Sequence, residues 1–224
     1  MLSKAYKRNS APNGFFLAGL GVLVPFIALA SGHLGNEHWM DAFDQAIGQT
    51  VVNLRTDGWT QFFRWITILG GAYFSAFVVG VVAVVLFFVF KKKELAIWYI
   101  STVALGAGAL NQLVKHMFQQ PRPNFEHLIV QGGYTFPSGH AMGSIVLYGA
   151  LIYLVHKVTD NLFLKRFLIG GGIFLVGLIG FSRIYLGVHF VSDILAGYSL
   201  GGAVLLLSIG LYRMIEIKQR RMRV

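Results

Sequence analysis

Residues 66–90 read ITILGGAYFSAFVVGVVAVVLFFVF, 25 positions without a single charged side chain. A helix rises roughly 1.5 Å per residue, so about 20 such residues cross the hydrocarbon core of a bilayer. The Val and Phe content would suit a strand, but an unbroken run of this length predicts a helix. Working outward, five more runs reach or approach spanning length, at 14–31, 95–114, 140–156, 162–181 and 190–212. The expectation is an all-α, six-transmembrane-helix bundle in one domain over 1–224, with its core at 15–212. Pro25 is expected to kink the first span. Gly106-Ala107-Gly108-Ala109 and Gly170-Gly171-Gly172 would weaken a soluble helix, but between membrane helices they permit close approach.

Composition agrees. Of 224 residues, 55% are hydrophobic and 12% charged, about half the charged share of an ordinary soluble domain. The formal charge of +10 does not point to nucleic acid, because its distribution follows the spans. Lys4, Lys7, Arg8, Lys91, Lys92, Lys93, Lys157, Lys165, Arg166, Arg213, Lys218, Arg220, Arg221 and Arg223 fall, by alternation, on one side. The other side holds only Arg55, Arg64, Lys115, Arg122 and Arg183, together with the acids Glu37, Asp41, Asp44, Asp57 and Glu126. The excess of basic residues places the first side, with both termini, in the cytoplasm. Cysteine is absent, which removes disulfides, thiolate catalysis and thiolate metal sites. The basic N-terminus and first run read as a retained span.

The outer segment 36–65 mixes Trp39, Phe43, Trp59, Phe62, Phe63 and Trp65 with polar residues. It is expected to form short helices at the lipid–water boundary, where Trp is favoured. These serve either as a cover beside a site or as a plain connector with interface anchors.

Three polar clusters interrupt the apolar text, and the topology brings all three to the outer face. They are 115–123 (KHMFQQPRP), 137–140 (PSGH) and 182–193 (SRIYLGVHFVSD). Lys115, Arg122 and Arg183 supply three cations suited to the charge spread over a transferred phosphoryl group. Arginine adds a rigid donor fork that matches phosphate oxygens. Ser138 offers a hydroxyl, and the first-turn amides at Gly139 and His140 lack helical acceptors and can face an anion. Gly139 also permits close backbone approach.

His189 and Asp193 stand four apart, which on a helix puts them on one face. Asp193 can then hold one imidazole nitrogen and leave the other free to attack phosphorus. His140 can protonate the departing oxygen and later activate water. Each residue also has a plainer reading. The cations could be interface anchors with their charge carried to water, and Ser138 could simply cap a helix. His116, His127, Asn111 and Glu126 receive no assigned role.

With these residues in order, the chain resembles the type 2 phosphatidic acid phosphatase family, whose superfamily includes the vanadium-dependent haloperoxidases. The resemblance rests on Lys115…Arg122-Pro123, Pro137-Ser138-Gly139-His140 and Ser182-Arg183…His189…Asp193. It implies His189 as nucleophile, Asp193 as its partner and His140 as general acid and base. Lys115, Arg122, Ser138, Gly139 and Arg183 would bind phosphate, without metal or other cofactor. It further implies a bacterial cell-membrane enzyme similar to the phosphatidylglycerophosphatase B group, whose substrates include phosphatidylglycerol phosphate and undecaprenyl diphosphate. Membrane lipids would be its partners, with no nucleic acid and no obligate protein partner. A noncatalytic lipid-phosphate binder or a transporter is the alternative from the residues alone.

Overall fold

The structure, a computed structural model, describes residues 12–35 and 38–222. Lys4, Lys7, Arg8, Asn36, Glu37 and Arg223 lie outside the described residues, as does the side chain of Trp39. Among the described residues there are eight helices and no strand: α1 (Pro12–Leu34), α2 (His38–Val52), α3 (Asp57–Ile68), α4 (Ala72–Val89), α5 (Lys93–Phe118), α6 (Gly139–Val158), α7 (Leu162–Tyr185) and α8 (Val191–Met222). All except α2 and α3 are long and apolar enough to cross a membrane.

The decisive stretch contains a break that hydropathy does not register. Helix α3 runs on to Ile68, and α4 begins only at Ala72. Between them Leu69, Gly70 and Gly71 donate to the carbonyls of Ile66, Thr67 and Ile68 at 2.9–3.1 Å, a tightened turn that a Gly pair favours. Both flanks are apolar, so the run reads as continuous although the chain changes direction inside it. The remaining spans fall where expected and lengthen at one or both ends, the last of them by ten residues at its C-terminal end, to Met222. Pro25 lies inside α1.

Helix α8 is the central post. Within its apolar window 61% of residues are buried, against 6% for α4 and for α7, so those two present most of their side chains to lipid. It packs on α1 and α6. Contact with α6 is close because Gly197 has no side chain: a Cβ there would stand 2.8 Å from the Ser138 carbonyl and 3.0 Å from the Ala141 Cβ. This presses the start of α6 onto the start of α8. In α5, residues Thr102–Leu110 widen into π-helical turns across the Gly106–Ala109 stretch. Such insertions rotate the next helical turns about the axis, here those bearing Asn111 and Lys115.

The loops sort into two ends. At one, Lys92 Nζ donates to the Lys157 carbonyl at 3.3 Å and Lys157 pairs with Glu216 at 2.7 Å. At the other lie α2, α3 and the connector between α5 and α6. Phe63 of α3 packs on Tyr185 with ring centroids 4.6 Å apart, while Trp59, Phe62 and Trp65 are exposed. Asp44 of α2 accepts from the Ser192 amide at 2.9 Å and from the Ser192 hydroxyl, fastening α2 to the first turn of α8.

Candidate active site

His189 is nearly inaccessible and Asp193 wholly so. The spacing of four works here through a turn that leads into the helix, since α8 begins only at Val191. Asp193 Oδ2 accepts from the Phe190 amide at 2.8 Å and lies 3.2 Å from His189 Nδ1. His189 Nε2 is left facing Arg122, 3.4 Å from Nη1. Burial pushes the His189 imidazole well below its ordinary value, and the cations of Arg183, Lys115 and Arg122 push the same way. The ring is therefore neutral near pH 7, the state a nitrogen nucleophile needs.

The three cations share one partner segment, residues 131–135. Lys115 Nζ donates to the carbonyls of Tyr134 (2.6 Å) and Thr135 (2.9 Å). Arg122 donates from Nε to Gly133 (3.1 Å), from Nη2 to Gly132 (2.8 Å) and Tyr134 (3.3 Å), and from Nη1 to Val188 (2.6 Å). Arg183 gives Nη1 to the Thr67 hydroxyl at 2.7 Å and Nη2 to the Gln131 side-chain oxygen at 2.6 Å, while its Nε is buried with no acceptor. Among the described residues none of the three forms an ion pair with a carboxylate. Buried cations met only by neutral oxygens are short of negative charge.

A cavity of about 620 Å³ opens beside these groups. Lys115, Arg122, Gly139, His140 and His189 line its polar end. Its other end runs between α4 and α5 over small and apolar residues such as Ala76, Val79, Ala83 and Ala104. Asp193, Ser138 and Arg183 stand behind the wall. Asp193 backs His189. Ser138 Oγ accepts from the Ala141 amide at 3.4 Å as the cap of α6. Arg183 reaches the cavity only through Gln131, which lines it.

Gly139 answers to a second constraint. A Cβ there would stand 3.0 Å from Asn111 Oδ1, and Asn111 Nδ2 donates to the Pro137 carbonyl at 3.3 Å. Asn111 therefore buttresses the turn before α6 and makes no bond to Lys115. His116 Nδ1 is 2.7 Å from the Gln112 carbonyl, and His127 Nε2 is 2.9 Å from the Pro123 carbonyl. Glu126 faces Arg55 at 4.0 Å and is largely exposed. Sequence reading passed over Thr67, Gln131 and Thr135, isolated polar residues whose importance arises only when distant segments meet.

Fold and site together describe an integral membrane protein with a cation- and histidine-lined cavity, a candidate phosphate site, at one end of its bundle. The sequence profile of the PAP2 superfamily matches residues 95–216. Phosphatidylglycerophosphatase B of Bacillus subtilis (strain 168) is 33% identical over 161 residues, covering 70% of this chain and 77% of that one. The dolichyldiphosphatase of Saccharomyces cerevisiae is 29% identical over 154 residues, 63% of this chain and 64% of its own. The crystal structure of a transmembrane PAP2 type phosphatidylglycerolphosphate phosphatase from Bacillus subtilis superposes with a TM-score of 0.78 at 28% identity, covering 91% of this chain and 96% of that one. The chain belongs to the PAP2 superfamily, and its activity is that of a PAP2-type lipid phosphatase.

Proposed function

We propose that the chain removes the terminal phosphate from phosphatidylglycerol phosphate and from undecaprenyl diphosphate, at the outer face of a bacterial membrane, through a phosphohistidine on His189. The cavity carries this reading. Its cationic end meets His189 and His140, and its apolar end lies between α4, which is largely unburied, and α5, so one molecule can present phosphate and tail together.

In this mechanism the substrate phosphate takes over cation bonds now made to the carbonyls of 132–135 and to Gln131. His189 Nε2 attacks phosphorus, the N–P bond forms and the P–O bond to the lipid breaks. Protonated His140 gives its proton to the leaving oxygen. His140 then takes a proton from water, whose oxygen attacks phosphorus. The N–P bond breaks and inorganic phosphate leaves. Lys115, Arg122 and Arg183 hold the equatorial oxygens throughout, with Ser138 and Gly139 shaping the helix start that faces them. These fixed cations carry the charge that a metal ion carries in other phosphatases, so activity is expected to survive a chelator. Orientation follows the basic excess at the opposite end.

Parallel kinetics on phosphatidylglycerol phosphate, phosphatidic acid and undecaprenyl diphosphate in one detergent test the substrate reading. Phosphate release from the first and third within about tenfold of each other is expected, because apolar grooves discriminate tails weakly. Lipid binding or transfer across a vesicle without phosphate release would contradict the whole reading.

A further inference from the structure

We infer that Thr135 is a positioning residue of the nucleophile, inserted between His189 and Asp193, and that it sets the tautomer of His189; this rests on the phosphohistidine mechanism proposed for the site. Its side chain is completely buried. Its Oγ1 lies 2.9 Å from His189 Nδ1, closer than the 3.2 Å from that nitrogen to the carboxylate, and it also donates to Asp193 Oδ2.

Donor and acceptor accounting leaves one arrangement. A hydroxyl carries a single hydrogen and two lone pairs. Asp193 Oδ2, charged and an acceptor only, takes that hydrogen. The lone pair of Oγ1 then faces His189 Nδ1, which must itself carry a hydrogen. With Nδ1 protonated in a neutral ring, Nε2 holds the free pair, and Nε2 is the nitrogen that faces Arg122 and the cavity. Asp193 Oδ1 is buried without any partner, so the whole hold on the imidazole passes through Oδ2 and the Thr135 hydroxyl. When Nε2 takes a phosphoryl group the ring becomes cationic, and the same chain carries its charge to the carboxylate.

Thr135 also ties the nucleophile to the cations. Its carbonyl accepts from Lys115 at 2.9 Å, and it ends the segment 131–135 on which Arg122 and Arg183 rest. Its amide donates to the Gln120 carbonyl at 3.0 Å, which fixes the backbone. The side chain is thus delivered to the His–Asp pair by a segment anchored on both sides.

Thr135→Val keeps the shape and removes the hydroxyl, and Thr135→Ser keeps the hydroxyl. Hydrogen bonds to charged groups are strong enough that losing this one should slow turnover about 10- to 100-fold. The expectation for T135V is that fall in kcat, a KM within about threefold of wild type and slower formation of the labelled phosphoenzyme. T135S should recover kcat to within about threefold. T135A repeats the test where Val disturbs packing, and is expected to behave as T135V. Wild-type kcat in T135V or T135A, a change confined to KM, or a T135S as slow as T135V overturns the inference. H189A run alongside separates the two readings: an active H189A sinks the phosphohistidine itself, whereas an inactive H189A beside a fully active T135V sinks only the role of Thr135.

Discussion

Both ends of the bundle carry cations, yet the two ends use them differently. At the end that holds His189, Lys115 and Arg183 are buried and, with Arg122, meet carbonyl and side-chain oxygens but no carboxylate among the described residues. At the opposite end Lys157 pairs with Glu216 at 2.7 Å, Arg220 joins the same carboxylate at 3.0 Å, and Lys165 faces Asp160 at 3.8 Å. Desolvated charge is costly unless compensated. Lys157, Lys165 and Arg220 find compensation in acids. Lys115, Arg122 and Arg183 find it only in neutral groups, and in the proposed site an incoming phosphate supplies the rest. Positive charge alone marks neither a site nor an anchor; what matters is which cations lack anions.

The sharpest way to break this contrast is at Arg183. Replacing it with Ala should reduce kcat/KM for phosphate release by about 10²–10³, the usual cost of losing one preorganised donor to transition-state charge. R183K should recover little, since lysine cannot span Thr67 and Gln131 with a planar fork. An R183A enzyme within fivefold of wild type would remove Arg183 from the phosphate site.

A smaller effect is expected where α2 grips α8. Burial raises the Asp44 carboxyl to about 6, so between its ordinary value and about 6 the folded protein holds a proton that the unfolded chain has lost. Stability from this group therefore falls as pH rises through that window and is flat above it. The size is about 1–3 kcal/mol, from a shift of roughly two pH units. D44N should lack that component, so subtracting its detergent melting profile from that of wild type isolates it. Superimposable profiles from pH 4 to 7 would contradict the assignment.

The smallest effect belongs to the end that holds Glu216. E216Q removes the shared carboxylate of Lys157 and Arg220. Partly exposed pairs of this kind contribute about 0–1 kcal/mol, so melting should shift slightly and phosphate release should stay within twofold. A loss comparable to that of R183A would erase the distinction between the ends.

Hydropathy and the charge count were enough to anticipate the six spans, because bilayer crossing imposes length and polarity locally. The same reasoning brought 115–123, 137–140 and 182–193 to one face, and the structure gathers them there. Two kinds of feature escaped it. The turn at Leu69–Gly71 sits between two apolar flanks, so a scale of apolarity cannot register it. Thr135, Gln131 and Thr67 are single polar residues whose roles depend on which distant segment they meet. Neither spacing nor composition encodes that Arg122 spends its donors on the carbonyls of Gly132, Gly133 and Tyr134 in its own connector and on that of Val188. Asn111 was visible as a polar residue in an apolar helix, but its bond to the Pro137 carbonyl was not.

Alkaline-quench trapping with a radiolabelled lipid phosphate addresses the nucleophile directly. Brief mixing should leave acid-labile, base-stable label on the wild-type protein, and mapping should place it at His189. H189A should carry none. Label persisting in H189A, or turnover by the wild type with no trapped phosphoprotein at any mixing time, would contradict attack by that imidazole.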